Sequence, residues 1–135
     1  MLSPTLDHVR LFIHVLAACI WVGGQFALAG VVGTLRTEAP GAIKPVAQAF
    51  ARLAWPAFFL LVVTGLWSLF EVSLADTDSA YQVTVMIKIM MAIASGAFAA
   101  IHTIARTKLW LALGGALGAL TSVAALFLGV LLHQA

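Results

Sequence analysis

The stretch LFIHVLAACIWVGGQFALAGVVGTL, residues 11–35, lies between Arg10 and Arg36 and holds 25 residues without a formal charge. A bilayer core is crossed by roughly 20 apolar residues in helical form, so this stretch alone is long enough to span. It also exceeds the roughly 7–15 apolar residues of a signal-peptide core. It therefore reads as a retained helix, although Ala27-Leu28-Ala29 has the look of a cleavage site.

Outward from it, Arg52 and Glu71 enclose 18 uncharged residues, and the 27 residues between Asp78 and Arg106 carry one charge, Lys88. The 27 residues from Leu109 to the C-terminus carry none apart from the titratable His133. Composition agrees, with 63% of the 135 residues hydrophobic and 9% charged, against about 45–50% and about 25% in soluble domains. Seven basic and five acidic side chains cannot coat a water-facing surface, which excludes a soluble monomer. Open strands would leave backbone groups unsatisfied in hydrocarbon, and the runs lack the alternation of a barrel. The expected fold is all-α: an integral membrane four-helix transmembrane bundle forming one domain over residues 1–135, with helices near 9–35, 54–74, 80–105 and 109–133.

Local signals place the boundaries. Pro40-Gly41 and Pro45 break the first connection, Pro56 suits the first turn of the second helix, and Asp76-Thr77-Asp78-Ser79 caps the third. Short connections make neighbouring helices antiparallel. Arg36, Lys44, Arg52, Arg106 and Lys108 fall in two connections on one side, and Lys and Arg favour the cytoplasmic face. Both termini are then expected on the non-cytoplasmic side. Trp55 and Trp110 fall at the cytoplasmic interface, and Trp21 falls mid-membrane, packed on protein.

The net charge of +2 is small and dispersed, unlike the basic face that nucleic acid requires, so no nucleic-acid partner is expected. The single cysteine, Cys19, excludes an internal disulfide and reads as a small core hydrophobe.

Polar groups inside hydrocarbon are costly and mark candidate sites. On the first helix His14 and Gln25 are 11 residues apart and share a face with Ala18 and Trp21. On the third, Lys88, Ser95 and His102 recur every seven residues. His14 lies about five residues and Lys88 about eight residues inside the outer surface, a difference of about 5 Å at 1.5 Å per residue. They are expected to line one outer-leaflet pocket with Trp21, Gln25 and Ser95 as its polar neighbours. Lys88 snorkelling to the headgroups and His14 bonding an adjacent helix are the structural alternatives. Met86 and Met90 are one turn apart and read first as packing, but thioethers beside a histidine also suit Cu(I). His8, His102 and His133 sit near helix ends, where a solvated histidine is the default. Gly114 and Gly118 make a GxxxG face suited to close helix contact.

The segment His14-Val-Leu-Ala-Ala-Cys-Ile-Trp21-Val-Gly23-Gly24 resembles the H-x6-W-x-G-G opening helix of CopD-like (copper-resistance D) membrane proteins. Phe50-Ala-Arg52-Leu-Ala with Val63-Thr64-Gly65 looks like their second helix, and Ile87-Lys88-Ile89 with His102 like their third. A histidine in helix one and a lysine in helix three is also similar to HemJ-type protoporphyrinogen oxidases, which bind haem b. The likeness implies haem-binding roles for His14 and Lys88. The chain departs from the HemJ-like pattern over residues 26–35, which are small and aliphatic.

Three functions follow as expectations. The first is a haem-b redox protein of a bacterial cytoplasmic membrane, with His14 on iron, Lys88 on iron or a propionate, and His133 as a second imidazole. The second is copper handling by His14, Met86, Met90 and His133, with His8 as a further donor. The third is a non-catalytic accessory subunit that packs on a larger complex through the GxxxG face, or a homo-oligomer.

Overall fold

A computed structural model describes residues 3–134, and among them there is no strand. Four stretches are long and apolar enough to cross a membrane: Leu6–Glu38, Pro40–Glu71, Ser79–Ile104 and Lys108–His133. Even the shorter ones, at 26 residues, reach about 39 Å at 1.5 Å per residue. The protein is an all-α, membrane-embedded chain. It divides into two compact units, one ending at Val72 and the next beginning at Ser73.

The first unit contains α1 (Leu6–Ala18), a π-helical turn (Cys19–Gly23), α2 (Gly24–Glu38) and α3 (Ile43–Glu71). Thr5 caps α1 with a capping box in which His8 takes the role usually played by Glu. The first span thus runs three residues beyond each expected end, and its middle is not regular α-helix. A π turn holds one more residue than an α turn, which offsets the faces on either side of it.

A 3-10 turn over Pro40–Ala42 leads into α3, which starts at Ile43 rather than near residue 54. Pro45 does not break the connection: it sits in the first turn of α3, where a missing N–H costs nothing. Pro56 consequently lies inside α3 and not in its first turn, leaving the Arg52 carbonyl without its intrahelical donor. The charges at Lys44 and Arg52 therefore lie within the helix rather than ahead of it. Ala17, Ala18, Trp21 and Val22 of the first span are buried together with Ala54, Ala57 and Thr64 of α3. The small residues let the two antiparallel backbones approach closely.

The second unit is the antiparallel hairpin of α4 (Ser79–Ile104) and α5 (Lys108–Gln134). Asp78 caps α4 as its sequence indicates, accepting from the Tyr81 N–H at 2.7 Å. Gln82 Nε2 donates to Leu74 O at 2.8 Å and Thr77 O at 3.0 Å, which ties the preceding 3-10 turn (Leu74–Asp76) to the helix.

Glycine determines how closely α4 and α5 pack. A Cβ on Gly114 would lie 2.8 Å from the His102 N and 2.9 Å from the Phe98 O, so backbone meets backbone there. Gly114 and Gly118 are both buried. The GxxxG face is therefore filled by α4 of the same hairpin. In the hairpin it is α4 that supplies the Phe98, Ala99 and His102 surface that the small residues accommodate.

Candidate functional site

In the first unit, Arg10, His14, Ala17, Ala18 and Trp21 follow each other at helical spacing along the inner face of the first span. Residues His14 and Thr64 are brought together by α1 and α3, with His14 Nδ1 2.7 Å from Thr64 Oγ1. The Thr64 hydroxyl also lies 2.6 Å from Leu60 O. A carbonyl only accepts, so the single hydroxyl hydrogen of Thr64 goes to Leu60. The contact to His14 then needs its hydrogen from the ring, and His14 donates through Nδ1. In the neutral imidazole the lone pair sits on Nε2.

Anchoring one ring nitrogen as a donor is how histidines that hold a metal are oriented. Gly65 lies alongside, with His14 Cε1 3.7 Å from where a Cβ would stand. The donor chemistry fits an axial imidazole of a haem b. Thr64 is one of two hydroxyls in the uncharged run between Arg52 and Glu71, and that scarcity was the available signal for its role.

Trp21 is 4% exposed and packs on Phe58 at 4.5 Å and on Trp55 at 5.6 Å between ring centroids, in line with its expected protein contact. The Gln25 side chain folds back to donate to Trp21 O at 3.0 Å, a carbonyl of the π turn. The continuous His14 to Gln25 face is thus interrupted by the π turn between them. Cys19, expected as a core hydrophobe, is exposed, because the π turn carries Trp21 and Val22 inward instead.

Arg10 was legible only as a charge near a helix end, yet its side chain is 16% exposed. One guanidinium nitrogen meets Asp7 Oδ1 at 3.1 Å, while Asp7 is 72% exposed. Among the described residues Arg10 Nε and Nη1 are buried without an acceptor, and each such orphaned donor costs about 1–3 kcal/mol. Its spacing of four from His14 was the clue to its inward position.

In the second unit the Lys88, Ser95 and His102 stripe lies along the seam with α5. Ser95 is 1% exposed and donates to Gly118 O at 3.3 Å. His102, expected to be solvated, donates through Nδ1 to Leu111 O at 2.7 Å and staples the end of α4 to the start of α5. Both are structural bonds across the hairpin. Lys88 is different: its Nζ lies 3.3 Å from the position of a Cβ on Gly129, and among the described residues no hydrogen bond or ion pair engages it.

Met86 and Met90 are 58% and 61% exposed and lie on the face of α4 opposite to Lys88. His133 is exposed at the end of α5, and His8 Nδ1 is committed to Thr5 at 2.6 Å. Among the described residues no three of His, Cys, Asp or Glu group to hold a metal. No family model matches the chain, and neither a curated protein nor a solved structure does.

Proposed function

We propose that this protein is a haem-b-binding redox protein of a bacterial cytoplasmic membrane, with both termini on the non-cytoplasmic side, in which the His14 imidazole would hold the haem. The observation that carries this reading is the chain from His14 through Thr64 to Leu60 O. It fixes the ring orientation and leaves the basic lone pair on Nε2, as haem ligation requires. Bound haem supplies one-electron chemistry. The protein's part is to hold the imidazole against rotation and to keep water away with the small, apolar α1 and α3 faces. The Lys and Arg count supports the orientation.

Copper handling is supported less well, because the two thioethers it would use lie on the outward face of α4. An oxidised and a dithionite-reduced absorption spectrum of the detergent-purified protein, with iron and copper assayed in the same sample, tests the proposal. A Soret band that His14→Ala abolishes supports haem ligation. A Soret band unchanged by that substitution, or a colourless sample, overturns it, and stoichiometric copper in a colourless sample favours the metal-handling alternative.

A further inference from the structure

We infer that Arg10 is a binding site for the anionic oxygen group of an amphiphile, either a carboxylate or a phosphate. A guanidinium is permanently charged and presents five N–H donors. Here Nε and Nη1 are both shielded and, among the described residues, without an acceptor, while Asp7 takes Nη2 from a position that is 72% exposed. A largely solvated carboxylate neutralises a buried cation weakly. The unmet demand is therefore on Nε and Nη1, and Arg10 is on the face of α1 that also carries His14 one turn on.

Charge and depth define the ligand. Oxyanions satisfy guanidinium donors with the shortest and strongest hydrogen bonds. Arg10 stands at the edge of the uncharged run 11–35, where an anion carried on an apolar body is the ligand that suits both the charge and its surroundings. Two sources share this chemistry: the propionate of a haem and the phosphate of a membrane lipid. The site stands on Arg10 itself and holds whichever source proves correct.

Native mass spectrometry of the full chain in detergent separates them. Wild type, Arg10→Gln and Asp7→Asn are each offered haemin, haemin dimethyl ester, phosphatidylglycerol and diacylglycerol. Wild type is expected to retain one anionic adduct, haemin or phosphatidylglycerol, at least about tenfold more than its uncharged counterpart. Arg10→Gln removes that preference and leaves the uncharged adducts unchanged, while Asp7→Asn, which removes the competing carboxylate, raises the anionic adduct. The adduct retained identifies the source. Equal retention of charged and uncharged compounds by wild type overturns the inference, whether or not Arg10→Gln folds, and so does an anionic adduct that survives Arg10→Gln. Binding of both haem compounds to an equal degree leaves the haem reading standing and removes the propionate source.

Discussion

His14 and Thr64 form a one-way relay: Nδ1 donates to Oγ1 at 2.7 Å, and the hydroxyl hands its own hydrogen to Leu60 O at 2.6 Å. The direction is set by the carbonyl, which has no hydrogen to give. A threonine satisfying its own helix thereby decides which nitrogen of a histidine on another helix is basic.

Replacing the hydroxyl separates this effect from packing. Thr64→Val keeps the shape of the side chain but removes the acceptor, so His14 loses its anchor and a buried donor is left unmet. Haem affinity is expected to fall about 10–100-fold, the usual effect of losing the outer partner of a ligating histidine. Stability in detergent is expected to fall by about 1–3 kcal/mol. Thr64→Ser restores both. A haemin titration of the three proteins checks this, and equal affinity in all three shows that the relay does not orient the ligand.

Gly24 follows the π turn and lies under the ring of Phe50, into whose Cε2 and Cζ an added methyl would run. The obstacle is a side chain that can swing, so Gly24→Ala is expected to destabilise by only about 1 kcal/mol, at the low end of overpacking. Phe50→Leu is expected to relieve most of the loss. A Cβ added at Gly23 would meet nothing within 4 Å, and its φ of -62° is ordinary for a helix. Gly23→Ala is expected to be neutral or to stabilise by about 0.4–1 kcal/mol. Thermal unfolding in detergent of the two alanine variants, and of the Gly24→Ala, Phe50→Leu pair, measures these differences.

The spans were legible because charge and hydropathy respond to the bilayer, and the N-cap at Asp78 because its side chain acts on neighbours three residues away. Helix starts were less legible. Lys44 and Arg52 read as a connection, yet one helix runs through both, and Pro45 in its first turn does not interrupt it. The π turn was hidden because no residue type signals it, and it displaced both Cys19 and the expected continuation of the His14 face. His14 itself was found from cost, since a polar ring inside hydrocarbon needs a reason. Thr64 was not identified as its partner, because spacing along one helix says nothing about the neighbour that another helix presents.

The hairpin of α4 and α5 distinguishes the two ends of its GxxxG. A methyl added at Gly114 would meet backbone atoms of His102 and Phe98 at 2.8 and 2.9 Å, and neither can swing aside. Gly118 would place its methyl 3.5 Å from Ala99 N and 3.6 Å from Phe98 Cβ, ordinary contact distances. Gly114→Ala is expected to destabilise by about 1–3 kcal/mol, and Gly118→Ala by less than half of that. Thermal unfolding of the two single variants settles the order. A reversed order would mean that the hairpin closes about a different point along the helix.

Lys88 opposes stability to function within one side chain. Its ammonium lies over Gly129 in an apolar seam, with no acceptor among the described residues, and a charge at such a depth costs about 2.5–3.5 kcal/mol on insertion scales. Lys88→Met keeps the length and removes the charge, so the variant is expected to unfold at a higher temperature than wild type. A side chain retained only for packing would give that gain with nothing lost. A cation retained for a bound anion or for iron would give the same gain together with a weakened or shifted Soret band, the trade between stability and activity found at functional sites. Measuring the melting curve and the spectrum on the same Lys88→Met sample distinguishes the two, and the expected result is the paired change. A raised melting temperature with an unaltered spectrum would assign Lys88 to the hairpin alone.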